Sequence, residues 1–124
     1  MSISGKEILT AANKCMELQS EAGFRSAISR AYYALYHETC SALKHCPPTT
    51  HEGVVQYLLT DARRKNEPYV LTDLVSVGAV LRQQKTKRKL ADYQLEKEVL
   101  ESEASASITA VKKTLSKIDG MRKP

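Results

Sequence analysis

The stretch from Phe24 to Leu43, FRSAISRAYYALYHETCSAL, contains no glycine or proline and only scattered β-branched residues. Such a segment predicts a helix of about five turns. Successive residues are rotated by roughly 100° on a helix, so Phe24, Ile28, Ala31, Leu35 and Ala42 share one apolar stripe. Ser26, Arg30, Tyr33, His37, Ser41 and Lys44 fall on the far side. Arg30 and His37 are within about 20° of each other, two turns apart, with Tyr33 between them. A guanidinium, a phenol and an imidazole thus line one polar ridge.

A helix with an apolar stripe needs partners to bury it, and the flanking sequence offers more helices. Ser4 or Ser2 can cap a first helix, with Glu7 completing a capping box after Ser4 and apolar residues recurring to about Gln19. Glu21-Ala22-Gly23 reads as a break. The central helix must end by His45 or Cys46, because Pro47-Pro48 removes donors and restricts the residue before it. Thr49 or Thr50 can cap a third helix that runs to between Arg64 and Asn66. The cluster Arg63-Arg64-Lys65 then complements its dipole. A fourth helix is expected over Tyr69 to Gln83, with Gly78 marking close packing. A last helix is expected from about Glu96 to Ile118, and Asp119 to Pro124 as a frayed tail.

Between these helices lies Arg82-Gln83-Gln84-Lys85-Thr86-Lys87-Arg88-Lys89, either a loop or the solvated end of the fourth helix. Lys85, Lys87, Arg88 and Lys89 can track a phosphate backbone, with binding that falls steeply with salt. The formal charge of +5 permits an anionic partner. No aromatic alternates with these charges, so single-strand base stacking is not indicated.

The 124 residues, 42% hydrophobic with no Trp and one Phe, set one domain with a core of Leu, Ile, Val and Ala. The expected fold is all-α, an up-and-down bundle of four to five helices. No apolar run reaches bilayer length and no secretory leader is visible, so a soluble cytoplasmic protein is expected. Cys15, Cys40 and Cys46 form no framework and are expected as free thiols in a reducing compartment. His37, Cys40, His45, Cys46 and His51 lie close in sequence, but their spacing fits no zinc motif. There is no Gly-rich phosphate loop or nucleophile elbow, so no metal or other cofactor is expected.

The run Ser-Arg-Ala-Tyr-Tyr-Ala-Leu-Tyr-His resembles the signature helix of the HEPN domains, small helical nucleotide- and RNA-processing modules. Thr50-His51-Glu52-Gly53 and Arg88 with Ala91-Asp92-Tyr93 fit the same pattern, and the resemblance spans roughly Gly5 to Ile118. Active members carry an Arg followed, after four to six residues, by a His. The resemblance implies that Arg30 and His37 are catalytic and that Tyr33 supports them. It further implies a homodimer cutting RNA without metal to leave 2′,3′-cyclic phosphate ends, as in toxin–antitoxin or phage-defence systems. Active members usually place Asn, Asp or His directly after the Arg, and Ala31 stands there. The alternative is an inactive HEPN module that binds nucleotide, RNA or a partner such as a nucleotidyltransferase. Residue by residue, Arg30 can instead pair with Glu38. Tyr32 and Tyr36 read as core-edge residues with wet hydroxyls, and Asp92-Tyr93 as a cap for the final helix.

Overall fold

The computed structural model describes residues 3–123, and among them there are helices and no strand. Five α-helices run α1 (Gly5–Met16), α2 (Glu21–Ala42), α3 (His51–Leu59), α4 (Leu71–Tyr93) and α5 (Glu101–Arg122), with a 3-10 turn at Ala62–Asn66 after α3. α2 is the centre and packs against α1, α4 and α5.

Helix directions follow from contacts between the ends. Gly5 N donates to Glu38 Oε1, so α1 starts where α2 finishes. Tyr69, just before α4, donates to Ala42 O, while Arg25 reaches Ala91 O, so α4 is antiparallel to α2. Val99 N meets Glu21 and Arg122 meets Glu38, which lays α5 parallel to α2. The long helices therefore alternate up and down.

Being surrounded explains the composition of α2. Ala27, Ala31 and Ala34 are fully buried at the close approaches, and Tyr32 and Leu35 fill the wider gaps. The predicted stripe is inside, with Phe24 only half-buried. Tyr32 is not at the core edge, since none of it is exposed. Leu58, Leu74, Val77, Leu81, Val111 and Ile118 complete the centre.

Ser4 and Glu7 form the reciprocal capping box, while Ser2 lies outside the described residues. α1 stops at Met16, and Gln19 turns the chain at φ 48°. The break therefore precedes Glu21, and Ser20 caps α2 through Gly23 N. Thr50 caps α3 through Gly53 N. α3 ends at Leu59, short of the expected Arg64 to Asn66, although Arg64 still donates to the Leu58 carbonyl.

Three further expectations are corrected. Of the two readings of the basic run the helical one holds, and the expected end at Gln83 moves: α4 continues to Tyr93, because its core-facing positions Leu81, Gln84 and Ala91 stay buried. α5 begins at Glu101 rather than Glu96. Arg25 ties down the connection before it, and Glu103 caps Leu100 N. The tail does not fray through residues 119–122. Lys6 pairs with Asp119 at 2.8 Å and Arg122 reaches Glu38, so the last turn is anchored to α1 and α2; Pro124 lies outside the described residues.

Gly78 does mark close packing. A Cβ there would stand 2.9 Å from Leu58 Cβ and 2.9 Å from Leu59 Cδ2. Gly78→Ala gains up to about 1 kcal/mol in helix propensity but overpacks the α3–α4 contact by about 1–3 kcal/mol. The expected outcome is a lower urea midpoint; an unchanged or raised midpoint would show that α3 shifts freely.

Candidate functional site

α2 carries Arg30, Tyr33 and His37 outward, as the periodicity requires. Arg30 and His37 are exposed and Tyr33 is half-buried. Arg30 makes no hydrogen bond or ion pair with any described residue. The proposed pairing with Glu38 does not form, since Glu38 takes Gly5 N–H at 2.7 Å and Arg122 at 3.4 Å. Seven residues of helix place Arg30 and His37 about 10 Å apart along the axis. The long arginine side chain can cover much of that distance.

Aromatic rings surround His37. Its imidazole lies 6.2 Å from the Tyr33 ring, near parallel, and 5.4 Å from the Tyr36 ring, edge to face. A second imidazole enters from α3. His51 stacks on Tyr36 at 3.8 Å with 5° between the planes, and its Nδ1 lies 2.6 Å from the Tyr32 hydroxyl. Burial lowers the His51 pKa from its ordinary value, and the charges of Arg88, Lys85 and His37 lower it further. Tyr36 thus separates two imidazoles of one chain.

α4 closes the site. Arg88 Nη2 donates to Tyr33 Oη at 2.8 Å, and its guanidinium carbon lies 5.3 Å from that ring's centroid. Arg88 Nε is 2.8 Å from Asp92 Oδ2, yet its N–H misses the carboxylate, so the pair is a charge contact rather than a hydrogen bond. Asp92 in turn accepts from Ser29. Asp92 and Tyr93 are the end of α4, not a cap for α5, because the Asp92 carboxylate is held back toward α2.

The four basic residues grouped by sequence do not form one surface. Lys85 is drawn to Glu52 at 2.5 Å and Arg88 to Tyr33, both toward the aromatic cluster. Lys87 borders a groove between α4 and α5 with Gln83 and Ser107, and Lys89 is exposed. Helical geometry turns Lys87 to the side opposite Lys85 and Lys89, whereas on an extended loop the three would share a face.

Arg88 therefore belongs to the same neighbourhood as Tyr33 and His37, which the sequence treated as separate features. His51 is the residue that sequence reasoning left without a role. Its signals were its place in Thr-His-Glu-Gly at the start of α3 and its nearness in sequence to His37, Cys40, His45 and Cys46. Together these groups make a rim of cationic and aromatic side chains suited to a phosphate ester with a base beside it. No described helix is long and apolar enough to cross a membrane. No known protein family, curated protein or solved structure matches this chain.

Proposed function

We propose that the chain is a HEPN-type domain acting as a metal-independent endoribonuclease, with the α2 ridges of two copies meeting at the active site. The observation that carries this reading is the exposed pair Arg30 and His37 on one side of α2, with Arg30 free of any described partner. RNA transesterification needs a base for the 2′-hydroxyl proton, an acid for the 5′-oxygen, and positive charge against the phosphorane. His37 transfers protons, and Arg30 offers a fork of donors to the phosphate oxygens. Each chain supplies one imidazole on the ridge, so a homodimer supplies the second. The products are 2′,3′-cyclic phosphate ends. The setting is a cytoplasmic toxin or phage-defence system held in check by an antitoxin, and the three unpaired thiols fit a reducing compartment.

One observation favours a second reading, a non-catalytic HEPN module that binds nucleotide, RNA or a nucleotidyltransferase. Ala31, which follows Arg30, is fully buried and offers no polar group to the ridge.

Incubating the protein with single-stranded RNA in EDTA separates the two. On the first reading the wild type cleaves and leaves cyclic phosphate, and Arg30→Ala and His37→Ala each lose at least about a hundredfold in rate. Cleavage that is absent, or equal in all three proteins, supports the binding module.

A further inference from the structure

Beside the Arg30–His37 ridge lie two hydrogen-bond donors that the cleavage chemistry does not use. Tyr32 is fully buried, and the only partner of its hydroxyl among the described residues is His51 Nδ1. Burial pushes the Tyr32 phenol well above its ordinary pKa, so it keeps its proton. A buried hydroxyl with one neighbour donates to it. Nδ1 therefore accepts, and the neutral His51 ring carries its hydrogen on Nε2. Burial holds its pKa below the ordinary value, which favours this neutral ring. Nε2 has no described partner and is not among the buried unsatisfied atoms, so it reaches solvent as a free donor. Arg88 Nη1 likewise has no partner among the described residues and is not buried, while Nη2 is held by Tyr33.

The side chains that carry both donors flank the Tyr33 ring. The His51 ring stands edge-on to it at 6.1 Å, and the Arg88 guanidinium carbon is 5.3 Å from its centroid. The carboxylates that face the cluster are already engaged, Glu52 by Lys85 and Asp92 by Arg88 and Ser29. We propose that His51 Nε2–H and Arg88 Nη1–H form a binding site for a nucleotide phosphate next to the cleavage ridge, with His51 a neutral positioning donor and not a proton carrier. In assigning that phosphate to an RNA substrate, this rests on the ribonuclease reading; the anion site itself does not.

The experiment is nitrogen-15 and carbon-13 NMR of the histidine rings of the full chain, titrated with 3′-uridine monophosphate, inorganic phosphate or uridine. The free protein at pH 7 should show His51 protonated on Nε2 and bare on Nδ1. The opposite tautomer overturns the assignment without any variant. Uridine monophosphate should shift the His51 ring saturably and uridine should not; saturation by inorganic phosphate as well marks an anion site, and by the nucleotide alone one that also grips the nucleoside. His51→Gln, whose amide nitrogen takes the place of Nε2, should keep affinity within about threefold, whereas His51→Ala should lose about tenfold. Equal affinity in wild type and His51→Ala overturns the site. Should His51→Ala fail to fold, Arg88→Lys, which keeps the charge but not the fork, gives the same test and should also lose about tenfold. Nucleotide binding at His51 without RNA cleavage would discard the ribonuclease reading alone. Cleavage with no shift at His51 would discard this site alone.

Discussion

An Arg25→Met variant is expected to lose about 2–4 kcal/mol of stability, because charge-assisted hydrogen bonds to backbone carbonyls are removed and part of those acceptors are left without a donor. Arg25 is 8% exposed although it sits near the start of α2. Its Nη1 faces the carbonyls of Leu90, Ala91 and Gln94, the shortest contact being 2.9 Å to Ala91, and its Nη2 faces Lys97 O. Its Nε pairs with Glu21 at 3.0 Å, and Glu21 also accepts from Val99 N. One side chain thus satisfies the C-terminal carbonyls of α4 and fixes the connection into α5. Methionine keeps the stem and the packing but takes the described donor from the Ala91 and Lys97 carbonyls, while Leu90 O and Gln94 O keep backbone donors. A domain of this size has about 5–15 kcal/mol in total, so the variant should unfold at a markedly lower urea concentration. Arg30→Met, on the same helix but exposed, should change stability by less than about 0.5 kcal/mol. A loss below about 1 kcal/mol for Arg25→Met would mean that water replaces the guanidinium, and that the α4–α5 connection is held by other contacts.

The second large effect is expected at Glu67, 5% exposed in the segment between the 3-10 turn and α4. Its carboxylate accepts from Lys44 N and His45 N, both at 2.8 Å, and from the Tyr57 hydroxyl at 2.7 Å. These bonds hold the linker that leaves α2 against α3. Glu67→Ala strands two backbone donors and a buried phenol, at a cost of about 3–4 kcal/mol. Burial alone would raise the Glu67 pKa, but the bonds from Lys44, Tyr57 and His45 outweigh it and hold the group below its ordinary 4.5. A depressed folded-state pKa gives stability that is complete above the unfolded value and is lost as pH falls through the folded one. Wild type should therefore lose stability as pH drops below about 4.5, and its advantage over Glu67→Gln should shrink over the same range. A constant difference between the two from pH 7 to pH 3 would show that folding does not shift the Glu67 pKa and that these bonds do not favour its ionised form.

These two residues mark the limit of what periodicity and capping reveal. Arg25 adjoins the apolar stripe on the α2 wheel, and its burial comes only from the cover that α4 and the α4–α5 connection provide. Glu67 precedes Pro68 and reads as a helix stop. In both cases the partners are backbone carbonyls and amides from segments distant in sequence, which carry no side-chain signature. The same holds for the candidate site. Arg30, Tyr33 and His37 were legible as a ridge because residues three, four and seven apart on a helix share a side whatever surrounds them. Lys85, Lys87, Arg88 and Lys89 looked like one patch only while their helix was unassigned.

By itself the sequence determined the all-helical class, the central position of the Phe24–Leu43 segment, the caps to within two candidates each (Ser2 or Ser4, Thr49 or Thr50), the close packing at Gly78 and the outward ridge. Each depends on residue type and on spacing within a turn or two. Tertiary structure alone decided that His51 stacks on Tyr36, that Arg88 holds Tyr33, and that the last turn of α5 is anchored by Lys6 and Glu38. Those contacts join residues far apart along the chain, and their geometry exists only once the helices have packed.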